Sequence, residues 1–220
     1  MNEDLIKKLN KEYTKLKPLE RLEKVFRDFK HDEILVTSSF GTTSGILMGM
    51  VSMVAPGHPI HFIDTTFCFR KTIGYKEALT RLLGLNIVNV LPSIQDNLEA
   101  RENSLWENDK DKCCFVNKIK PFEPYKFGKK VWVSGLLMNQ TPFRQNLEIF
   151  ERRGDILKMH PNIDTAPEGF KSFLVNNFIP PHPMTLDGYD SVGCTHCTSQ
   201  GKGREGRWKG TSKVECGLHT

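Results

Sequence analysis

The chain alternates short apolar runs with longer segments of helical periodicity, and this alternation constrains the fold more than any other feature. β-rich runs occur at residues 34–36, 58–66, 86–91 and 130–136, and helical segments separate them at residues 46–54, 70–85 and 93–106. Two amphipathic segments, residues 3–16 and 19–29, precede the first run. Strands that alternate with helices form largely parallel sheets. The sequence therefore predicts an α/β fold with a twisted, parallel-type sheet and helices on both faces.

Length and composition fit a single domain with an appended arm. The chain has 220 residues, of which 38% are hydrophobic, and this is enough to form a core. We predict N-terminal helices over residues 1–30, an α/β core over residues 31–180 and a C-terminal arm over residues 181–220. The arm is rich in glycine, proline and polar residues. Because ligands of parallel sheets bind at the carboxyl ends of the strands, we expect the arm to lie over that rim.

Two polar segments follow the first two predicted strands. The turn SSFGTTSG, residues 38–45, leads from the first strand into an apolar helix, and Asp64-Thr65-Thr66 ends the second strand. A strand, turn and helix in this order direct backbone N–H groups at an anion. The turn lacks the Walker lysine and the spaced glycines of the dinucleotide fingerprint. An ordinary turn with a Ser or Thr N-cap is therefore the alternative.

Four of the six cysteines form two clusters, and this pattern indicates a metal site. They are the adjacent Cys113 and Cys114, and the pair Cys194 and Cys197 in CTHC. In a reducing compartment such clusters bind metal more often than they form disulfides. Four thiolates suit zinc or an iron–sulfur cluster, and chemistry alone leaves both open. The side chains of adjacent cysteines point apart, which favours an iron–sulfur cluster with several iron atoms over a single zinc ion.

The segment around Cys216 combines a lone thiol with positive charge. Residues 201–220 contain five lysine and arginine residues against two glutamates, and neighbouring positive charge favours the reactive thiolate. We expect Cys216 to be a mobile nucleophile, whereas Cys68, between two phenylalanines, is expected to pack in the core. A solvated basic segment is the alternative, and no helix-turn-helix or finger pattern indicates nucleic-acid binding.

The sequence shows no sign of membrane insertion or export. No run approaches the ~20 apolar residues of a transmembrane helix. The N-terminal MNEDLIKKLNKEYTKLK lacks the apolar core of a secretory signal, and its acidic residues argue against a transit peptide. We therefore expect a cytoplasmic protein that binds neither membranes nor nucleic acid, and we leave a homo-oligomer open.

Taken together, these motifs resemble one family. ECGLH (215–219) is similar to the signature around the catalytic cysteine of the sulfonucleotide reductases of assimilatory sulfate reduction, which are the adenylyl-sulfate and phosphoadenylyl-sulfate reductases. KCCFVNKIKP (112–121) and GYDSVGCTHCT (188–198) resemble the two cluster segments of that family, and REGRW (204–208) resembles its arginine-bearing arm. SSFGTTSG resembles its modified pyrophosphatase-type loop, and HFIDTTFCF (61–69) its second-strand segment. The matches run in family order from Ile34 to His219.

The resemblance implies the fold of the adenine nucleotide alpha-hydrolases, together with a cofactor and a reaction. Cys113, Cys114, Cys194 and Cys197 would bind a [4Fe–4S] cluster. Cys216 would attack the sulfate sulfur of adenylyl sulfate (APS) and displace AMP, and thioredoxin or glutaredoxin would liberate sulfite from the resulting S-sulfonate. The residues at the substrate-binding positions of the family are Ser38, Ser39, Phe40, Gly41, Thr42, Asp64, Thr65, Lys118, Gln140, Arg144, Arg204, Arg207 and His219.

Phosphoadenylyl sulfate (PAPS) is the alternative substrate, placed second because members of the family with the cluster mostly use APS. The chain departs from the family at Leu137 and Met138, where two adjacent arginines are usual, and at Thr66, where glycine is common. Two alternatives come from other classes. The first is an ATP-splitting, RNA-modifying pyrophosphatase-type enzyme, which needs a glycine-rich core that the turn lacks. The second is a non-catalytic metal-binding module, which would not explain Cys216.

Overall fold

A six-stranded sheet forms the centre of the computed structural model, which describes residues 3–211, 213 and 215–218. Its strands are β1 (Ile34–Ser38), β2 (Pro59–Ile63), β3 (Asn86–Val90), β4 (Val131–Val133), β5 (Phe150–Arg153) and β6 (Ile156–Met159). Their order is β3-β2-β1-β4-β6-β5. Neighbouring strands pair in parallel except β5, which runs antiparallel to β6. The prediction of an α/β fold with a parallel-type sheet is therefore confirmed.

Helices cover the sheet on both faces. Their bounds are α1 (Glu3–Tyr13), α2 (Pro18–Asp28), α3 (Ser44–Val54), α4 (Arg70–Leu83), α5 (Ile94–Glu102), α6 (Leu105–Asn108), α7 (Lys110–Cys114), α8 (Lys120–Phe122), α9 (Pro142–Gln145) and α10 (Pro167–Asn176). Successive strand residues point to opposite faces. Ile34 and Val36 of β1 therefore pack into the large core that contains α2 and α3, whereas Leu35 packs with Phe122 and Trp132 on the other face. Among the described residues, no helix is both long and apolar enough to cross a bilayer.

The periodicity of the sequence does not predict the hairpin of β5 and β6. The two strands are joined by Gly154 and Asp155, and Gly154 has φ of 60°, which glycine adopts without strain. β6 is buried along its whole length, including Lys158. Charged residues at Arg152 and Arg153 of β5 and at Lys158 of β6 interrupt the apolar pattern, so the strands do not stand out in the sequence.

The predicted helix over residues 93–106 is divided in two. Ser104 separates α5 from α6 and has φ of 44°, in the left-handed region. The chain continues into α7, which ends with Cys113 and Cys114, and then into the π-helical turn Phe115–Ile119. The break therefore redirects the chain so that the adjacent cysteines reach the site described below.

The packing of α3 against the region after α10 depends on Gly49. A Cβ atom at this position would lie 2.6 Å from Cδ1 of Ile179 and 2.9 Å from Cε1 of Phe173. Any side chain here would push the two segments apart, because both contacts are closer than ordinary van der Waals distance. This close packing positions α3, whose first residue directly follows the polar turn after β1.

Buried polar contacts join the two N-terminal helices to the core. Nδ2 of Asn10 donates to the carbonyl oxygen of Phe150 (3.0 Å), and Oδ1 of Asn10 accepts from the N–H of Phe150 (2.8 Å). Arg21 is buried and donates to both carboxylate oxygens of Asp164, at 2.6 and 2.7 Å. Because β5 is an edge strand, Asn10 also satisfies backbone groups that would otherwise remain open at this edge.

Candidate active site

A polar pocket opens at the carboxyl ends of β1 and β4. Its walls come from the turn after β1, the segment after β4 and the C-terminal arm. The predicted site residues that line it are Ser38, Ser39, Gly41, Thr42, Lys118, Gln140, Arg144, Arg204, Arg207 and Cys216. The fold therefore brings most of the predicted substrate-binding residues and the predicted nucleophile into one cavity.

The turn after β1 contributes hydroxyl groups and backbone to the pocket, but not the side chain of Phe40. The ring of Phe40 is fully buried and packs edge-on against Phe62, with 5.6 Å between centroids. Its backbone N–H donates to Oγ of Ser38 (3.1 Å). Oγ1 of Thr42 donates to the carbonyl oxygen of Asp190 (2.6 Å) and joins the turn to the arm. The side chain of Phe40, predicted to bind substrate, therefore serves core packing.

The polar segment after β2 lies beside the cysteines rather than in this pocket. Oδ1 of Asp64 accepts from the N–H of Thr66 (2.8 Å), and the described lining of the pocket includes neither Asp64 nor Thr65. The hydroxyl of Thr65 lies 3.2 Å from Sγ of Cys194. Cys68 is half-buried rather than a full core residue, and its backbone pairs with that of Cys194. Of this segment, Thr65 and Cys68 thus contact the second cysteine cluster.

The four clustered cysteines surround a second, smaller pocket. Cys113, Cys114, Cys194 and Cys197 all line this cysteine pocket, and all four are buried. Burial, together with the neighbouring Cys194 and Cys197, raises the pKa of the Cys113 thiol to about 11. Nδ2 of Asn117 lies 3.8 Å from Sγ of Cys113. Sulfur atoms from two distant chain segments therefore lie around one buried pocket.

The chemistry of the cysteine pocket suits a sulfur-rich metal group. Among the described residues, no three His, Cys, Asp or Glu side chains meet closely enough to bind a single metal ion. The four thiols instead line the walls of their shared pocket. Nε1 of Trp208 is buried without a hydrogen-bond partner in the described part of the chain, but Trp208 lines the pocket that contains Cys216 rather than the cysteine pocket.

Lys118 lies between the two pockets and lines both of them. Burial alone would lower the pKa of its amine. Charge interactions with the neighbouring Cys194, Cys216 and Cys114 act in the opposite direction, and the pKa of Lys118 is raised well above its usual value. Lys118 is therefore a positive charge shared by the predicted metal site and the predicted substrate site.

Cys216 is half-buried and lies against Cys114. A hydrogen bond with the Cys114 thiol lowers the pKa of Cys216 well below its usual value. Burial opposes this shift, and Lys118 and Arg207 reinforce it. The same hydrogen bond raises the pKa of Cys114. Cys216 therefore has a cysteine neighbour that its isolated place in the sequence does not predict.

Two of the predicted substrate-binding cations bind a carboxylate of the arm. Nε and Nη2 of Arg144 each lie 2.8 Å from an oxygen of Glu215, and Nη2 of Arg204 lies 3.2 Å from Oε2. Glu215 is buried, with 3% of its surface exposed. Burial lowers the pKa of Arg204 to about 10, so its guanidinium stays charged at neutral pH. Arg144 and Arg204 line the pocket, but Glu215 neutralises part of their charge.

Arg207 is fixed from several sides. Its guanidinium lies 4.4 Å from the ring centroid of Trp208. Nη1 donates to the carbonyl oxygen of Val192 (3.3 Å), and Nε donates to that of Cys197 (3.4 Å). A Cβ atom on Gly193 would lie 2.6 Å from Cζ of Arg207, so only glycine leaves room for the guanidinium. Arg207 is thus a preorganised cation in the wall of the pocket.

Apolar residues occupy the segment after β4, where the family usually carries arginines. Leu137 is buried and Met138 packs against the large core. Gln140 keeps a polar role, because its Nε2 donates to Oγ1 of Thr43 (3.3 Å) and its Oε1 accepts from Arg144. Gln140 therefore connects the turn after β1 to the arginine that binds Glu215.

Two contacts that hold the end of the arm are absent from the sequence predictions. Nζ of Lys158 donates to the carbonyl oxygen of Leu218 (2.8 Å), and Glu215 binds Arg144, which is 71 residues away. Glu215 stands inside ECGLH, where sequence alone presents it only as a charge that opposes thiolate formation. No local pattern marks either pairing. His219 lies outside the described residues, so its predicted role stays a prediction.

Comparison with known proteins establishes the family. Residues 33–200 match the phosphoadenosine phosphosulfate reductase domain. The chain belongs to this family, and the resemblance seen in its motifs is confirmed.

Curated relatives within the family carry a more specific name. The adenosine 5'-phosphosulfate reductase of Mesorhizobium japonicum is 32% identical to this chain, covering 94% of it and 84% of the relative. The enzyme of the same name from Lysinibacillus sphaericus is 33% identical, covering 86% and 84%.

Solved structures agree on the fold. The phosphoadenylyl-sulfate reductase of Candida auris, solved as a phosphate complex, has a TM-score of 0.75 at 23% identity and covers 90% of this chain and 98% of that one. Yeast FAD synthetase has a TM-score of 0.58 at 15% identity, covering 91% and 70%. The fold is therefore one that nucleotide-dependent enzymes with different names share.

Proposed function

We propose that this protein reduces adenylyl sulfate to sulfite and AMP, with a thioredoxin or glutaredoxin as reductant. The observation that carries the proposal is the position of Cys216, whose thiol lines one pocket together with Lys118 and Arg207. A thiolate beside fixed cations is what nucleophilic attack on an anionic substrate requires. The family of the chain and the names of its curated relatives support the same reaction.

The proposed reaction has two halves. The Cys216 thiolate attacks the sulfate sulfur, a sulfur–sulfur bond forms, and the bond from that sulfur to the bridging phosphate oxygen breaks with its electron pair. AMP leaves, and Cys216 carries an S-sulfonate. A thiolate of the reductant then attacks Sγ of Cys216, sulfite departs with the electron pair, and a mixed disulfide forms. The second thiol of the reductant resolves this disulfide, so the dithiol is oxidised and Cys216 is regenerated.

Positive charge is needed in the first half because two anions approach each other. We assign this role to Lys118 and Arg207, which face the pocket without a carboxylate of their own among the described contacts. Preorganised charges of this kind stabilise a transition state without reorganisation. Direct binding of the nucleotide by Arg144 and Arg204, which the resemblance implies, would share their guanidinium groups with Glu215. The further residues proposed to bind the nucleotide are Ser38, Ser39, Gly41, Thr42, Gln140 and His219.

A [4Fe–4S] cluster bound by Cys113, Cys114, Cys194 and Cys197 is part of the proposal. The four buried thiols around one pocket fit such a group. When bound, the cluster would supply negative charge beside Lys118. This lysine would then remain protonated and keep its charge directed at both pockets.

A reducing compartment follows from the proposed chemistry. Cys216 must return to the thiolate after each turnover, and cytosolic thioredoxin or glutaredoxin keeps thiols reduced. We therefore propose a cytoplasmic location.

The proposed function is tested by sulfite release from APS and from PAPS with reduced thioredoxin. We expect the higher kcat/KM with APS. A tenfold preference for PAPS, about 1.4 kcal/mol in transition-state binding, would instead assign the activity named for the Candida auris structure. Absence of sulfite from both substrates, in protein that binds AMP and contains its metal group, would refute the proposal.

A further inference from the structure

The carboxylate of Glu215 is enclosed by cationic and polar side chains. Both of its oxygens lie 2.8 Å from nitrogens of Arg144, in a bidentate arrangement. Nη2 of Arg204 lies 3.2 Å from Oε2, and Oγ1 of Thr141 donates to Oε1 (3.1 Å). The side chain of Glu215 is fully buried, and those of Arg144 and Arg204 are 5% and 12% exposed.

This arrangement binds the arm strongly at a single point. Bidentate pairs between arginine and carboxylate combine strength with a fixed geometry. Loss of one partner from a buried ion pair leaves an uncompensated charge, which is strongly unfavourable. The end of the arm is therefore not free to leave the pocket without a compensating change at Arg144 and Arg204.

The bound residue directly precedes the proposed nucleophile. Arg144 belongs to α9, which follows β4, whereas Glu215 and Cys216 belong to the arm. Fixing the Glu215 carboxylate against α9 thus fixes Cys216 within one residue of the contact. In this docked position the Cys216 thiol lines the pocket that also contains Lys118 and Arg207.

We infer that Glu215 is a positioning residue that docks the arm so that Cys216 faces the substrate pocket. Arg144 and Arg204 then bind the arm as well as lining the substrate pocket. The inference rests on the proposed function only in taking Cys216 as the nucleophile. It predicts that loss of the carboxylate changes the position of Cys216 and the rate of the chemical step without weakening nucleotide binding.

The test compares Glu215→Gln with Glu205→Gln in the anaerobically purified holoenzyme. Glu205 is an exposed acid on the same arm, so its variant is the matched control. Alkylation of Cys216 by iodoacetamide is measured over a pH series with peptide mapping. In a plot of alkylation rate against pH, a change in charge alone shifts the midpoint, whereas release of the arm raises the plateau rate at high pH. Isothermal titration with AMP and steady-state kinetics complete the comparison.

For Glu215→Gln we expect a plateau alkylation rate at least fivefold higher, kcat at least tenfold lower, and an AMP Kd no weaker than that of wild type. Glu205→Gln should match wild type, and Glu215→Asp should recover part of kcat. If Glu215→Gln does not fold, the double variant Arg144→Gln/Glu215→Gln, which removes a buried unpaired charge, carries the same alkylation test.

Tighter AMP binding by fivefold or more with an unchanged alkylation plateau would overturn the inference, since Glu215 would then only compete with the nucleotide for Arg144 and Arg204. An unchanged plateau with unchanged kinetics would overturn it as well. Alkylation and AMP binding can both be measured without turnover. If the wild-type protein formed no sulfite, the proposed function would be contradicted. The plateau alkylation rates of Glu215→Gln and wild type would still test the inference about Glu215.

Discussion

Nζ of Lys158 donates a 2.8 Å hydrogen bond to the carbonyl oxygen of Leu218. Lys158 is fully buried in β6, and its amine lies 4.3 Å from the ring centroid of Trp132 on the neighbouring strand. Leu218 itself packs against the core on that face of the sheet. The arm is thus bound on both sides of Cys216, by Glu215 before it and by Leu218 after it.

The first prediction concerns this second contact. Lys158→Met preserves much of the buried side-chain volume but removes the hydrogen bond to Leu218, so the docked arm should be less stable. Burial lowers the pKa of Lys158 to about 7, so its amine is largely neutral above neutral pH. A neutral hydrogen bond contributes about 0.5–1.5 kcal/mol, and we expect alkylation of Cys216 to be at least twofold faster. Lys171→Met, at an exposed position on α10, is the control. Equal alkylation rates in the two variants would mean that Lys158 does not stabilise the docked arm.

The second prediction concerns Arg207 as an anion-binding cation. Arg207→Gln should weaken AMP binding by about 1.5–3 kcal/mol, the range for a hydrogen bond to a charged group, which is more than tenfold in Kd. Lys209→Gln removes an exposed charge from the same arm and should change the Kd less than twofold. Titration calorimetry measures both. Equal affinity in Arg207→Gln and wild type would exclude Arg207 from nucleotide binding.

The third prediction concerns the cysteine pocket. Protein purified without oxygen should be brown and contain about four irons per chain with labile sulfide. Cys194→Ser should lose the colour, whereas Cys68→Ser should keep it. The second variant is a stringent control because Cys68 pairs with Cys194 through the backbone yet does not line the pocket. Stoichiometric zinc without sulfide would contradict the assignment.

The fourth prediction concerns acid stability. His182 is fully buried, its Nδ1 accepts from the N–H of Met184 (3.2 Å), and its Nε2 therefore carries the proton and donates to Thr72 (3.2 Å). Burial lowers the pKa of His182 from its usual 6.5 to about 4. Between these values the unfolded chain binds a proton that the folded protein does not. Stability is therefore complete above pH 6.5 and falls as the pH decreases towards 4, by on the order of 3 kcal/mol.

Urea unfolding at pH 7.5 and pH 4.5 measures this dependence. His182→Gln should lose less stability over the interval than wild type. Part of the loss of stability at low pH should remain in this variant, because burial also lowers the pKa of His58 to about 4. If His182→Gln and wild type lose the same free energy between the two pH values, His182 does not contribute to the acid response.

Elements governed by local pattern could be predicted from the sequence. The strands β1 to β4 and the helices α3, α4 and α5 follow from runs of apolar residues with period 2 or 3.6. The break at Ser104 could not be predicted, because it depends on one residue in the left-handed region inside a helical pattern. The hairpin of β5 and β6 was also not predictable, since Lys158 is buried by tertiary structure that no local window shows.

The candidate site also contains parts that the sequence could predict and parts that it could not. The turn after β1, the clustered cysteines and Cys216 could be named because each stands in a short, recognisable motif. The contacts of Arg144 with Glu215 and of Lys158 with Leu218 could not, because each joins residues at least 60 positions apart. Phe40 belongs to a recognisable motif, yet packing rather than sequence decides that its side chain faces the core.

The central claim is that Cys216 is the nucleophile, and a single-turnover experiment tests it most directly. Holoenzyme is incubated with APS in the absence of any reductant, the released AMP is quantified, and the protein is mapped by peptide mass spectrometry. The account predicts one AMP released per chain, one sulfonate group on Cys216, and sulfite on later addition of thioredoxin. Cys216→Ser should bind AMP normally and form no adduct. An adduct on Cys68, or sulfite production by Cys216→Ser, would contradict the account.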